Sequence, residues 1–244
     1  MAEATARAGQ DCSLVLLVRH AQTAVPDEQG RYFSEGAVPL SENGHRQARL
    51  LAKSLSGLHV DRMWSSDLLR AAQTAEHLAA VLGVSPVQVK AFREVNCGLF
   101  DGATIAELRS EHPEYVSWVE AGFQQGFATT QSHFPSDLRF PDGESVMDMA
   151  LRAIPAFLQV CDVPAGQVSV VVSHAWVICV VLCHVLGLGA DNYYRFGMPN
   201  AGMSVVRVGR DGRGMLDALS WQAPLDRLAG ASLKVRSAIV GSNG

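Results

Sequence analysis

The sequence has few cysteines, few aromatic residues and no clustered positive charge. Its five cysteines are odd in number and form no CxxC pair, which favours reduced thiols over a disulfide framework. The formal net charge is −4 with no run of lysine and arginine, so a nucleic-acid partner is not expected. No apolar run reaches the roughly 18–20 residues of a membrane span, and Glu3, Arg7 and Asp11 interrupt the region where a secretory signal would be apolar. These absences predict a cytoplasmic protein that binds neither nucleic acid nor membrane.

The remaining composition, 48% hydrophobic and 18% charged residues, is typical of a globular enzyme. Strand-like and helix-like segments alternate along the chain, and a hairpin pattern closes it. This order predicts an α/β fold, a three-layer α/β/α sandwich with a mostly parallel central sheet and an antiparallel edge strand. We expect a flexible tail at 1–12, a single domain at 13–225 with an inserted lid at about 97–142, and a C-terminal tail at 226–244.

Hydrophobic periodicity and capping residues define the predicted elements. The predicted strands are 14–18, 60–64, 87–91 and 168–172, followed by a hairpin of 203–208 and 215–219. The predicted helices are 41–56, 67–82, 104–110, 113–120, 144–161 (with a kink at Pro155) and 175–186.

Reactive side chains follow the predicted strands at the point where each strand ends. Arg19 and His20 follow the first strand, Arg70 lies in the first helical turn after the second, Glu94 lies just beyond the third, and His174 follows the valine-rich strand. The carboxyl ends of parallel strands form the ligand-binding edge of an open α/β sheet, so we expect these groups to meet there.

This set of side chains suits cleavage of a phosphate monoester without a metal. Guanidinium groups bind phosphate oxygens, an imidazole can attack phosphorus, and a carboxylic acid can protonate the leaving oxygen and then activate water. The residues alone do not decide which of the two histidines attacks.

Several motifs occur in a fixed order along the chain. Arg19-His20-Ala21-Gln22-Thr23 resembles the Arg-His-Gly-Glu-Thr/Ser signature of a known family, the histidine phosphatase (phosphoglycerate mutase-like) superfamily. The other similar segments are Pro39–Gly44, Ser65–Ala75, Phe92-Arg93-Glu94, Pro141–Ser145 and Val171–His174. Together they extend over roughly residues 14–208, and their fixed order makes the resemblance specific.

The resemblance implies a role for each strand-end group. It implies that His20 is the phosphorylated nucleophile, that Arg19, Arg70 and His174 form the phosphate pocket, and that Glu94 is the proton donor. Thr23 and Ala175, which lie beside these residues in the motifs, complete the expected substrate-binding set. The resemblance implies neither a metal nor an organic cofactor.

Departures from the family pattern leave alternatives open. Ala21 and Gln22 replace Gly and Glu, and we expect Gln22 to alter the electrostatics around His20. The sequence lacks the Trp-Asn pair after Thr23 that is frequent in mutases and many phosphatases. It also lacks the His-Tyr-Gly continuation of the mutases after Glu94, and the two departures together favour a phosphatase over a mutase. A catalytically weak phospholigand-binding protein is the third hypothesis. The expected partner is a small phosphorylated substrate, and the protein is expected to be a monomer or homodimer.

Overall fold

The computed structural model describes residues 12–24, 34–113 and 135–222. Its strands are β1 (Ser13–Arg19), β2 (Arg62–Ser65), β3 (Pro86–Gln88), β4 (Val168–Ser173), β5 (Met203–Val208) and β6 (Gly214–Trp221). Its α-helices are α1 (Glu42–Ser54), α2 (Leu69–Leu82), α3 (Ile105–Glu111), α4 (Val146–Cys161) and α5 (Ala175–Val185), and 3-10 helices span Lys90–Phe92, Gly98–Phe100 and Ala190–Arg195.

The six strands form one sheet in the order β3-β2-β4-β1-β5-β6. The β1–β4, β2–β4 and β2–β3 pairs are parallel, whereas β5 and β6 run antiparallel on one side. β1 and β4 lie at the centre, and their near-continuous apolar sequences are buried because helices cover both faces of the sheet.

Two hydrophobic clusters separate the sheet from its helical layers. One cluster includes α1 and α2 residues such as Leu51 and Leu78. The other includes α4 and α5 residues such as Phe157 and Leu182. Residues of β1 alternate between the clusters, with Leu16 in the first and Leu17 in the second, because successive side chains of a strand point to opposite faces. The predicted three-layer α/β/α sandwich with a mostly parallel sheet is confirmed.

Capping residues explain where two of the helices begin. Ser41 accepts a hydrogen bond from the Gly44 amide at the start of α1, as its sequence position predicts. Ser145 and Asp148 form a reciprocal capping box that starts α4. α4 continues through Pro155 to Cys161.

The structure differs from the predicted elements mainly before Glu94. The predicted strand 87–91 is shorter, since β3 ends at Gln88 and a 3-10 helix at Lys90–Phe92 carries the chain to Glu94. The predicted 113–120 helix falls almost entirely outside the described residues, as do the predicted terminal tails and the centre of the predicted lid. Within the described ranges, no helix is long and apolar enough to cross a membrane.

Candidate active site

The register of the two central strands brings both predicted histidines together. Arg19 lies opposite Ser173 in the parallel β1–β4 pair, and the His20 amide donates to the Ser173 carbonyl at 2.9 Å. The next residues, His20 and His174, therefore leave the sheet side by side. Their ring centroids are 5.1 Å apart, and both side chains are buried.

The orientation of the His20 ring determines which nitrogen is available for chemistry. Nδ1 lies 2.8 Å from the carbonyl oxygen of Ala21. That oxygen can only accept, so Nδ1 carries the proton and Nε2 of the neutral ring is unprotonated. Burial, with the positive charges of Arg19 and Arg70, lowers the pKa of His20 well below its ordinary value. His20 is therefore a neutral imidazole with a nucleophilic Nε2 at neutral pH.

His174 is held by a different contact at the amino end of α5. Its Nε2 lies 2.9 Å from the hydroxyl of Ser66, which follows β2. Its Nδ1 is buried and has no hydrogen-bond partner in the described part of the structure. Burial, followed by the charges of Arg70 and the other site residues, lowers the pKa of His174 well below its ordinary value. This ring is therefore neutral and retains a nitrogen that can hydrogen bond to a ligand.

Backbone carbonyls orient both predicted site arginines. Arg19 donates from Nη1 to the Met198 carbonyl at 2.5 Å, and its buried Nε lacks a partner among the described residues. Arg70, at the amino end of α2, donates from Nη2 to the Ser34 carbonyl at 2.7 Å. A cation at this end of a helix opposes the helix dipole, which an anion bound nearby would compensate. Both groups remain charged, since burial lowers an arginine pKa from a very high value.

The carboxyl group of Glu94 lies near the two arginines and accepts from two backbone amides. Its Oε1 accepts from the Val95 amide at 3.1 Å, and its Oε2 accepts from the Trp176 amide at 3.4 Å. Burial raises the pKa of Glu94 above its ordinary value, although these amides and the charges of Arg19 and Arg70 act in the opposite direction. A carboxyl group with a raised pKa suits proton donation.

The charges of the site fit a phosphate monoester. The two histidines are neutral and the two arginines are cationic, so a protonated Glu94 leaves two positive charges at the strand ends. A dianionic phosphate balances both charges and would raise the pKa of Glu94 further. Within residues 12–24, 34–113 and 135–222, no group of three or more His, Cys, Asp or Glu side chains is arranged to hold a metal ion.

An ion-pair network supports the loop that orients Arg70. Arg93 forms a bidentate contact with Asp67, at 2.7 Å for both nitrogens, and donates to Glu35 at 2.6 Å. This network joins the segments after β2 and before Glu94 to the loop that contains Ser34. The same loop supplies the carbonyl that accepts from Arg70, so the network fixes the acceptor and hence the guanidinium.

The remaining predicted substrate-binding residues lie at the edges of this cluster. Ala175 is the first residue of α5, directly after His174. Thr23 forms an isolated antiparallel bridge with Leu40. The roles of both stay predictions, because their positions do not by themselves define a contact with substrate.

The two motif departures have structural explanations. Ala21 is fully buried, and its amide donates to the Thr74 hydroxyl at 3.0 Å. Gln22 is exposed, and its Oε1 accepts from Asn43 at 2.7 Å and from Ser41 at 3.3 Å. Gln22 therefore contacts the amino end of α1 in place of the His20 ring, which argues against a direct electrostatic effect on that ring.

Several supporting groups escaped the sequence analysis. The loop before β5 holds the His20 backbone, since Asn200 Nδ2 and the Ala201 amide both donate to the His20 carbonyl at 3.2 Å. Met198 and Ser34 contact the site arginines through their carbonyl oxygens, so no side-chain signal could identify these two contacts. Trp176 contributes its amide to Glu94, and Ser66, which lies within the Ser65–Ala75 motif, contributes the hydroxyl that contacts His174.

The class of protein is defined by this fold together with the two histidines, two arginines and one glutamate at its strand ends. The profile of the histidine phosphatase superfamily (branch 1) matches residues 15–220. The chain belongs to the histidine phosphatase superfamily, as its motifs predict.

Named relatives within this family include both phosphatases and mutases. The chain is 30% identical over 195 residues to phosphoserine phosphatase 1 of Hydrogenobacter thermophilus, covering 80% of this chain and 86% of that protein. It is also 30% identical over 192 residues to a Yersinia pestis protein named "Probable phosphoglycerate mutase GpmB", covering 79% of this chain and 83% of that protein. These names support a phosphatase or mutase activity.

The fold is also shared with solved phosphatase structures. A mycobacterial glucosyl-3-phosphoglycerate phosphatase superposes with a TM-score of 0.71 at 26% identity, covering 86% of this chain and 99% of that chain. The α-ribazole phosphatase from Shigella flexneri has a TM-score of 0.72 at 20% identity, covering 86% of this chain and 97% of that chain. The second likeness concerns the fold alone.

Proposed function

We propose that this protein is a metal-independent phosphomonoesterase that hydrolyses a small phosphorylated metabolite through a phosphohistidine on His20. The orientation of His20 carries this proposal. Its Nδ1 is committed to the Ala21 carbonyl, so the lone pair available for attack on phosphorus is that of Nε2. The sequence left the choice between the two histidines open, and this contact supports the choice that the family resemblance implies.

In the first step of the proposed reaction, His20 Nε2 attacks phosphorus and the bond to the leaving oxygen breaks. Arg19 and Arg70 hold the non-bridging oxygens and offset their charge. His174 contributes Nδ1, which can donate to a phosphate oxygen when Ser66 donates to Nε2. Glu94 supplies the proton that the departing oxygen takes up.

In the second step, water attacks the phosphohistidine and releases inorganic phosphate. Glu94 now acts as the general base. Its carboxylic acid has given its proton to the first leaving group, so the resulting carboxylate can accept a proton from water. The N–P bond breaks, and His20 regains its free Nε2. Each turnover therefore restores both residues to their starting protonation states.

The best test measures inorganic phosphate released from a panel of sugar, glycerate, amino-acid and nucleotide monophosphates after treatment of the protein with a chelator. We expect His20→Ala to lower the rate by roughly three orders of magnitude or more. His59→Ala is the matched control, since the His59 side chain is 88% exposed, and should keep the rate within about twofold. Full activity of His20→Ala, or loss in chelator that added metal restores, would contradict the proposal.

A phosphoglycerate mutase-type activity is the second candidate, because a relative with that name is as similar as the phosphatase-named one. A mutase returns the phosphoryl group to its substrate, so it yields an isomerised phosphoglycerate in place of inorganic phosphate. Product analysis by phosphorus NMR distinguishes the two reactions. Isomer formation that exceeds phosphate release would replace the phosphatase proposal with the mutase.

The wider setting of this activity is also proposed from the sequence. We expect a cytoplasmic monomer or homodimer whose partner is the small phosphorylated substrate. Size-exclusion chromatography with light scattering measures the oligomeric state, and a larger assembly would contradict this expectation.

A further inference from the structure

An ion pair outside the predicted phosphate pocket forms hydrogen bonds with the backbone on both sides of Glu94. Arg152 on α4 and Glu144 just before α4 form a bidentate contact, with Nε to Oε1 at 2.8 Å and Nη2 to Oε2 at 2.7 Å. Such a geometry is the strongest form of an arginine–carboxylate pair. Neither residue was singled out by the sequence as a site residue.

The remaining donors of Arg152 all reach the segment that carries Glu94. Nη1 donates to the carbonyls of Ala91 and Arg93, and Nη2 donates to the carbonyl of Glu94, each at 2.8 Å. Together with the two bonds to Glu144, these contacts use all five N–H donors of the guanidinium. Lysine has only three donors and no planar fork, so it cannot reproduce the set.

Glu144 holds the same segment two residues further along. Its Oε2 accepts from the Asn96 amide at 3.0 Å, and its own amide donates to the Asn96 carbonyl at 2.8 Å. The two segments approach so closely that only glycine fits at position 143, since a Cβ on Gly143 would lie 2.3 Å from the Asn96 carbonyl oxygen. Burial opposes ionisation of Glu144, but the bonds from Arg152 and the Asn96 amide outweigh it and keep the pKa of Glu144 below its ordinary value.

This arrangement matters because the Glu94 segment has little regular structure of its own. β3 ends at Gln88, and the chain reaches Glu94 through a 3-10 helix of three residues. A hydrogen-bonded sheet therefore does not fix the position of the Glu94 backbone. The Arg152–Glu144 pair replaces that support by bonding to the chain at residues 91, 93, 94 and 96.

We propose that Arg152 and Glu144 are positioning residues for proton transfer by Glu94. They hold the backbone from which the Glu94 carboxyl reaches the strand-end site, and they take no part in binding phosphate. The inference deepens the proposed function and rests on it. A displacement of about 1 Å in a reacting group can cost about 100-fold in rate, so loss of the pair should act on the steps that need Glu94.

The test compares Arg152→Met with wild type on two substrates that differ in their need for an acid. Glycerol 2-phosphate has a poor leaving group that needs a proton, whereas p-nitrophenyl phosphate releases a stable phenolate. We expect kcat/KM for glycerol 2-phosphate to fall about 10- to 100-fold, and that for p-nitrophenyl phosphate to fall by about threefold or less. Inhibition by orthovanadate, which reports the phosphate pocket, should be unchanged.

Arg207→Met is the matched control, because Arg207 on β5 forms an equally bidentate pair with Asp217 without touching the site. It should leave both substrates unaffected. Arg152→Lys should not restore glycerol 2-phosphate hydrolysis. If Arg152→Met does not fold, Glu144→Gln should show the same substrate-selective loss.

Glu94→Gln separates failure of this inference from failure of the proposed function. If Glu94→Gln shows the substrate-selective loss and the Arg152 and Glu144 variants do not, the inference alone is wrong. Equal losses on both substrates, or weaker orthovanadate inhibition in step with lost activity, would also overturn it. If Glu94→Gln itself has no selective effect, the proposed role of Glu94 is wrong.

Discussion

Replacing Glu94 with glutamine should remove proton transfer while leaving the site folded. Glutamine has the size of glutamate and keeps one side-chain carbonyl to accept from the Val95 amide, now 3.1 Å from Glu94. Its NH2 group then faces the Trp176 amide, whose bond to Glu94 is already long at 3.4 Å. Loss of one such bond costs about 1 kcal/mol of stability. Thermal unfolding should therefore show a modest change.

The effect on catalysis should be much larger and should depend on the leaving group. General acid–base catalysis contributes about 10²–10⁴-fold, or roughly 3–5 kcal/mol of transition-state stabilisation. We expect kcat/KM to fall by this full factor of about 10²–10⁴ for an alkyl phosphate, and by about tenfold or less for p-nitrophenyl phosphate. The phenolate leaves without a proton, so only electrostatic changes near Arg19 and Arg70 remain.

Stopped-flow measurement gives the sharpest readout of this variant. Hydrolysis of the phosphoenzyme should be slow in Glu94→Gln, because no carboxylate activates water. A burst of one nitrophenolate per enzyme should then precede a slow steady state. Equal losses on both substrates, or a linear time course with unchanged kcat, would refute the assignment of Glu94.

Three further predictions follow from the same geometry. The lowered pKa of His20 and the raised pKa of Glu94 predict a bell-shaped dependence of kcat/KM on pH. The rate should fall at low pH because His20 is protonated and at high pH because Glu94 is ionised. An alkaline limb that persists in Glu94→Gln would contradict this. Arg70→Lys loses the bond to the Ser34 carbonyl and the planar fork, so orthovanadate inhibition should weaken by about tenfold or more; unchanged inhibition would exclude Arg70 from the pocket. Gln22→Glu places a negative charge at the amino end of α1 and should add about 0.5 kcal/mol to the free energy of unfolding. Its activity should stay within about twofold of wild type, and a large change in rate would show that residue 22 does influence the reacting groups.

The features that could be predicted from the sequence are those that local sequence patterns determine. Apolar runs fix β1 and β4, and the parallel pairing of their ends places His20 beside His174. Ser41 marks the start of α1 through its cap, and Arg70 falls in the first turn of α2. These features depend on local periodicity and on the general rule that strand ends gather at one edge.

The features that sequence analysis missed depend on contacts between distant segments. Arg152 bonds to the Ala91 carbonyl across 61 positions, and Arg19 bonds to the Met198 carbonyl across 179. A backbone carbonyl has no residue-specific signature, so its role emerges only from the folded chain. The predicted strand at 87–91 is wrong in its second half for a related reason. Val87 and Val89 favour a strand, whereas the chain forms a 3-10 helix at Lys90–Phe92 whose Ala91 carbonyl accepts from Arg152.

The Gln22 hypothesis shows how proximity along the chain can mislead. Gln22 follows His20 by two residues, and its motif position suggested an influence on the nucleophile. The side chain instead contacts Ser41 and Asn43, because the chain turns away after Ala21. The motif therefore predicts where this segment lies, but it does not predict which way the Gln22 side chain points.

The central claim is that His20 becomes phosphorylated during turnover, and trapping that intermediate tests it most directly. Rapid quenching of the Glu94→Gln protein with a 32P-labelled substrate, followed by peptide mapping, should yield an acid-labile and base-stable adduct on the peptide that contains His20. His20→Ala should yield none. A label that maps to His174, or no covalent label while phosphate release continues, would contradict the account.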